Sequence, residues 1–145
     1  MRPWNHIYLK IDCIGERGSL PVLESKEKAF LSARAARDKK GEDIVVLEVG
    51  SLTPLADLFV LCSAESQRQV LAITDAIDEA LSREGINPMS VEGRENALWI
   101  LMDYSDVIVH VFKQEVRDFY DLERLWGDAK RLTLPRHKTL ALGKG

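Results

Sequence analysis

The chain has 145 residues, 46% apolar and 30% charged, the profile of one globular domain with a single sizeable core and too little chain for a second. Its net charge of -3 argues against affinity built on neutralising many phosphates and suits a basic partner better. No apolar run approaches the roughly 20 residues that cross a bilayer, and the start lacks the basic-then-apolar order of a secretory signal, so the expected location is cytoplasmic.

Residues 1–24 read as an N-terminal extension. Ile7, Leu9, Ile11 and Cys13 alternate with more polar neighbours, which fits an extra edge strand, while Gly15, Gly18 and Pro21 separate it from the rest of the chain and fit a loose arm equally well. A domain over 25–128 comes next. Ser25 can cap a helix that carries Ala29, Phe30, Ala33 and Ala36 on one side and stops at Gly41. The run DIVVLEV at 43–49 and the run LFVLC at 58–62 are nearly continuous apolar segments, as in strands covered on both faces. Ser66 and Gln69 have capping-box spacing and open a helix of about five turns, in which Val70, Ile73, Ile77, Ala80 and Leu81 share a face and Gly85 is the stop. A short strand within 87–93 precedes a hairpin.

That hairpin, 98–112, divides into two faces. A turn over 103–106 pairs residues whose numbers sum to about 209, so Trp99 faces His110 and Leu101 faces Ile108. Leu98, Ile100, Met102, Val107, Val109 and Val111 then form an aliphatic side suited to a helix-covered core. Trp99, Leu101, Ile108, His110 and Phe112 form the other side, a candidate recognition surface. Phe119, Leu122, Leu125 and Trp126 fall at helical spacing over 115–126 and read as the residues that dock the last helix. Residues 129–145 form a basic tail, with Lys130, Arg131, Arg136, Lys138 and Lys144, that reads as flexible. The expected fold class is therefore α/β, in the α+β two-layer sense, with a mixed five-stranded sheet and helices packed mainly on one face.

Catalytic patterns are sparse. His6, His110 and His137 are scattered, no short-spaced Cys or His pair occurs, and no metal site or cofactor is expected. Cys13 and Cys62, each in apolar company, favour buried thiols over a disulfide. No nucleophile elbow or phosphate-binding glycine loop is present. The one enzymatic hint is Gly50-Ser51 followed by Asp57, similar to the turn and carboxylate of polymerase-beta-type nucleotidyltransferases. The second carboxylate needed to hold Mg²⁺ is replaced by Phe59. A divergent nucleotidyltransferase or nucleotide-binding enzyme using Asp57 and Glu48 is the alternative reading.

Taken in order, DIVVLEV at 43–49, ADLFV at 56–60, Ser66-x-Arg68-Gln69-Val70, VEG at 91–93, WILMDYSDVIVHVF at 99–112 and FYxLExLW at 119–126 resemble the ribosomal silencing factor family, also called Iojap-like. The resemblance covers about 30–129. Two departures stand out: Ser105 where the family's turn usually has Gly, and Ala64 where Gly often follows Ser63. The resemblance implies a non-enzymatic factor of nucleotidyltransferase-like topology. It implies binding to the large ribosomal subunit through ribosomal protein number fourteen, a steric block to joining of the small subunit, and repression of translation under nutrient limitation. By position it implies a contact surface of Trp99, Tyr104, His110 and Phe112, with Asp103 and Asp106 able to meet basic side chains at the rim. Self-association through the same face, away from the ribosome, and a minor contact of the tail with ribosomal RNA are further expectations.

Overall fold

The computed structural model describes residues 24–134, so the expected N-terminal strand or arm, Cys13 and the tail beyond Leu134 with its RNA contact lie outside the described residues. Helix α1 (Ser25–Asp38) begins one residue earlier than its sequence suggests. Glu24, not Ser25, is the N-cap, and the Glu24 backbone N–H donates to Glu27 Oε1 at 3.0 Å. Ser25 is instead turned to the sheet, its hydroxyl 2.6 Å from Asp106 Oδ2 and 3.1 Å from Asp57 Oδ2. At the other end the N–H of Gly41 reaches the Ala36 carbonyl at 2.8 Å and that of Lys40 reaches Arg37 at 2.9 Å, the paired bonds of a Schellman cap. Lys40 takes the left-handed conformation, φ 65. Gly41 is needed for closeness, since a Cβ there would lie 2.9 Å from the Ala36 oxygen. The stripe Ala29, Ala33 and Ala36 is wholly buried, its small side chains letting α1 lie close to its neighbours.

Strands β1 (Glu42–Glu48) and β2 (Leu58–Ala64) pair antiparallel, Val45 opposite Leu61 and Glu48 opposite Leu58. Helix α2 (Gln67–Ser82) crosses over from β2 and buries Val70, Ile73, Ile77 and Leu81. Ser66 Oγ accepts the Gln69 N–H at 3.1 Å as the cap requires. The Gln69 amide does not close the box on Ser66; its Nε2 donates to the Lys39 and Lys40 carbonyls, each at 3.2 Å, and so ties the end of α1 to the start of α2. Strands β3 (Ser90–Glu92), β4 (Trp99–Asp103) and β5 (Val107–Lys113) form an antiparallel meander whose last strand lies parallel to β2.

The hairpin register differs from the expected one by two residues. Trp99 lies opposite Phe112 and Leu101 opposite His110, because the loop centres on Ser105 and Asp106, with the Tyr104 N–H bonded to the Val107 carbonyl at 2.8 Å. A slip of two preserves the side on which each residue points, so the division into faces survives. Ile100, Met102, Val107, Val109 and Val111 are buried beneath α1 and α2, while Leu98 stays 39% exposed just ahead of β4.

Two corrections concern the C-terminal part. The sheet has six strands, in the order β3-β4-β5-β2-β1-β6, because β6 (Lys130–Leu132) pairs antiparallel with β1, Leu132 opposite Val46. These residues belong to the sheet and not to a loose tail; a short basic strand is one of the means by which proteins protect a sheet edge. The single helix expected over 115–126 is two, α3 (Gln114–Tyr120) and α4 (Leu122–Leu125), broken at Asp121 with φ 48 and ψ 54. They lie on the face opposite α1 and α2, where Val116, Leu122, Trp126 and Ala129 pack on a second cluster of Leu47, Val49, Phe59, Leu61, Ile108 and Phe112. No helix among the described residues is long and apolar enough to cross a membrane.

Candidate functional site

The second face of the hairpin is a layered aromatic site, not a bare surface. Phe112 is fully buried and His110 is 4% exposed. The imidazole stacks on Phe112 at 6.0 Å and 9° and meets Phe59 edge-on at 5.0 Å, and Trp126 stands at 88° over Phe59, 5.3 Å away. Trp99, half-buried at the start of β4, closes the layer: its Nε1–H donates to His110 Nδ1 at 3.2 Å, and its ring lies 5.0 Å from both Phe112 and Tyr120. Burial pushes the His110 pKa down to about 3, so the ring is neutral at physiological pH. Since Nδ1 accepts, the ring proton is on Nε2, which is buried and makes no hydrogen bond. A neutral, enclosed imidazole of this kind serves as packing between the Trp99, Phe112 and Phe59 rings.

The structure divides the six expected contact residues. Trp99 reaches the surface. His110 and Phe112 are its floor, and reading them as exposed is corrected by the cover that α3 and α4 provide. Tyr104 is fully buried beneath the helices on the other face, where burial and then the Asp78 charge push its hydroxyl pKa up. Asp103 is 1% exposed and accepts the Ser105 N–H at 2.8 Å, closing the turn. Asp106 is held by Lys28 Nζ at 2.6 Å and by Ser25, so its carboxylate is engaged within the chain. These three sit at the far end of the hairpin from Trp99. The side chains that do stand free are Phe119, 79% exposed, Tyr120 at 54% and Leu125 at 72%. Phe119 meets Tyr120 edge-on at 5.0 Å, which extends the ring chain from Phe112 through Trp99 outwards. Exposed Glu115, Asp118 and Asp121 lie along the same segment. Sequence alone held one signal for this: Phe119 and Tyr120 are adjacent, about 100° apart around a helix, so the two large rings cannot both point to the middle of one docking face.

The enzymatic alternative has its own location. Glu48, Gly50, Ser51, Asp57 and Asp106 share an open cleft of about 870 Å³ at the opposite end of the sheet. Asp106 of that cleft is already paired with the Lys28 ammonium, 2.6 Å away. Among the described residues no group of three or more His, Cys, Asp or Glu could hold a metal ion. Cys62 is fully buried, and burial pushes its thiol up to about 12.

A family model described as "Ribosomal silencing factor during starvation" matches residues 22–143. The chain belongs to the ribosomal silencing factor family. Its relatives include the ribosomal silencing factor RsfS of Bacillus subtilis, 41% identical over 107 residues that cover 74% of this chain and 91% of that protein. The ribosomal silencing factor RsfS of Halalkalibacterium halodurans is 38% identical over 112 residues, 77% of this chain and 96% of that one. A crystal structure of a Chromobacterium violaceum protein superposes with a TM-score of 0.71 at 35% identity, covering 79% of this chain and 94% of that chain. The match to the ribosomal silencing factor family runs past residue 129, as does the sheet, which takes in β6.

Proposed function

We propose that the chain binds the large ribosomal subunit in the cytoplasm, through ribosomal protein number fourteen, and sterically blocks joining of the small subunit, repressing translation when nutrients are limiting. The observation that carries this reading is the exposed aromatic edge of Trp99, Tyr120 and Phe119. Aromatic side chains of this size left in water are the usual anchors of a protein interface, and the family makes the ribosome the partner. The acidic residues along α3 favour a basic partner, as ribosomal proteins are. His110 and Phe112 support the edge from beneath. In this reading the contact surface is therefore Trp99 with α3 and α4, and not the buried Tyr104 and Asp103 or the half-buried, Lys28-paired Asp106. No catalytic step is assigned; the block is one of volume.

Sedimentation of the purified chain with isolated large subunits tests it. Trp99→Glu is expected to abolish co-sedimentation while the far-ultraviolet circular dichroism stays native, and unchanged binding would sink the reading. The enzymatic alternative rests on the cleft that Glu48 and Asp57 line. Calorimetry with Mg²⁺ and nucleoside triphosphates decides it: micromolar binding lost in Asp57→Ala would favour an enzyme, and no heat of binding would favour the silencing factor.

A further inference from the structure

Arg117 is the most enclosed charge of α3, 5% exposed, and its guanidinium joins four elements. Nε lies 3.2 Å from Glu123 Oε1 and Nη2 lies 2.9 Å from Glu123 Oε2, a two-pronged pair with α4. Nη1 lies 3.2 Å from Ser63 Oγ on β2 and 3.4 Å from the Glu42 carbonyl at the start of β1. Ser63 Oγ in turn lies 2.8 Å from the Gln114 Oε1 at the start of α3. Helices of seven and four residues do not hold their shape alone, and the left-handed Asp121 between α3 and α4 is a conformation that a non-glycine residue adopts only when its surroundings impose it. The arrangement of the two helices therefore depends on what fastens them. On the inner side that is Val116, Leu122 and Trp126; at the strand ends it is the Arg117 fork.

The consequence appears three residues on. Tyr120 ends α3 with its ring 5.0 Å from Trp99, and beyond the left-handed break at Asp121 the chain enters α4, so that Phe119 and Leu125 stand in solvent on successive helices. We infer that Arg117, clasped to Glu123, is the positioning residue of the docking edge: it holds α3 and α4 in the one arrangement that sets Tyr120 against Trp99 and presents Phe119 and Leu125 together. The inference rests on the proposed reading of that edge as the ribosome-facing surface. A partner that meets a preformed edge does not have to order it, and one that meets a loosened edge loses affinity in proportion to the fraction of chains in which it is formed. Lys in place of Arg keeps the charge but brings a single point where the site has a planar fork, so it cannot serve Glu123 and Ser63 at once.

The test uses the full chain with Arg117→Lys, Glu123→Gln, the double variant, and Trp99→Glu as the control on the surface itself. Affinity for isolated large subunits is measured by sedimentation titration, foldedness by urea titration in the same buffer, and the state of the edge by the nuclear magnetic resonance cross-peak of the Trp99 indole N–H. Each clasp variant is expected to bind at least about tenfold more weakly under conditions where it is fully folded. The Trp99 cross-peak should shift or broaden, and the double variant should be no worse than the weaker single one, because both remove one interaction. A clasp variant whose urea midpoint falls while the folded protein binds subunits as tightly as the wild type would overturn the inference. If Arg117→Lys does not fold, Glu123→Gln, on a side chain 22% exposed, decides by the same measurements. Loss of binding in Trp99→Glu with both clasp variants at wild-type affinity removes the clasp and keeps the surface. Wild-type affinity in Trp99→Glu removes both.

Discussion

Across the β4–β5 ladder, two residues out of direct register, the Trp99 indole donates to His110 Nδ1 at 3.2 Å. That bond makes the imidazole an acceptor at a site too enclosed to charge. The folded pKa is about 3 against an ordinary 6.5, so the unfolded chain binds a proton that the folded one refuses. The stabilisation this represents is fully present above about pH 6.5 and is lost as pH falls from there towards 3. Between pH 7.5 and 5.5 the wild type is expected to lose about 1.4 kcal/mol more than His110→Gln. Urea titrations of both proteins at the two values check this; equal losses would show that His110 charges as readily folded as unfolded.

Ser105 occupies the hairpin loop at φ 79, where its Cβ is strained, and its hydroxyl meets the Met89 sulfur at 2.9 Å. Replacing it with Gly relieves the strain at the expense of that contact and of some unfolded-state entropy. The expected net effect is a stabilisation of about 0.5–1 kcal/mol, read as a higher urea midpoint with an unchanged slope.

Gly93 presents the opposite case. Its φ is 94 and a Cβ there would lie 2.2 Å from the Trp99 carbonyl oxygen, so Gly93→Ala must move the backbone that starts β4. A loss of about 2–4 kcal/mol is expected in the same assay.

Cys62 lies at the centre of the sheet with no exposed surface, and its thiol is pushed up to about 12. In a Cys13→Ser background, labelling by an aromatic disulfide at pH 8 should therefore wait for global opening, and its rate should rise with urea in step with unfolding. Rapid labelling in native buffer would mean that β2 is reached without unfolding.

Phe119→Asp separates fold from function more cleanly than any change at Trp99. Its side chain is 79% exposed, so stability should shift by no more than about 0.5 kcal/mol. Affinity for large subunits should fall by about 1–2 kcal/mol, as for the loss of an interface anchor.

Much of the fold is legible in the order of residues. The buried faces of α1 and α2 follow from three-and-four spacing, and the two faces of the hairpin follow from alternation, which is insensitive to the two-residue error in register at Ser105 and Asp106. The cover over the second face is not legible, for a physical reason. Helices α3 and α4 are too short for periodicity to speak, and Asp121 gives no warning of a left-handed break because Asp serves in helices and turns alike. Residues 115–126 consequently read as one docking helix, which hides Phe119 and Leu125 and exposes His110 and Phe112, the reverse of what the structure shows. β6 escaped notice because three residues, two of them basic, carry no strand pattern beyond Leu132.

The parallel pairing of β2 with β5 imposes a schedule on synthesis. The β1–β2 ladder closes over the nine residues 49–57 and can form as soon as both strands have left the ribosome, but Leu58 must wait for Val107, 49 residues later. At about 5–20 residues per second that interval lasts seconds, during which Phe59, Val60 and Leu61 have no partner along the second edge of their strand. The nascent chain is thus at its most adhesive while still tethered at the exit of the ribosome that makes it, and delayed translation over this interval should increase its demand for chaperones.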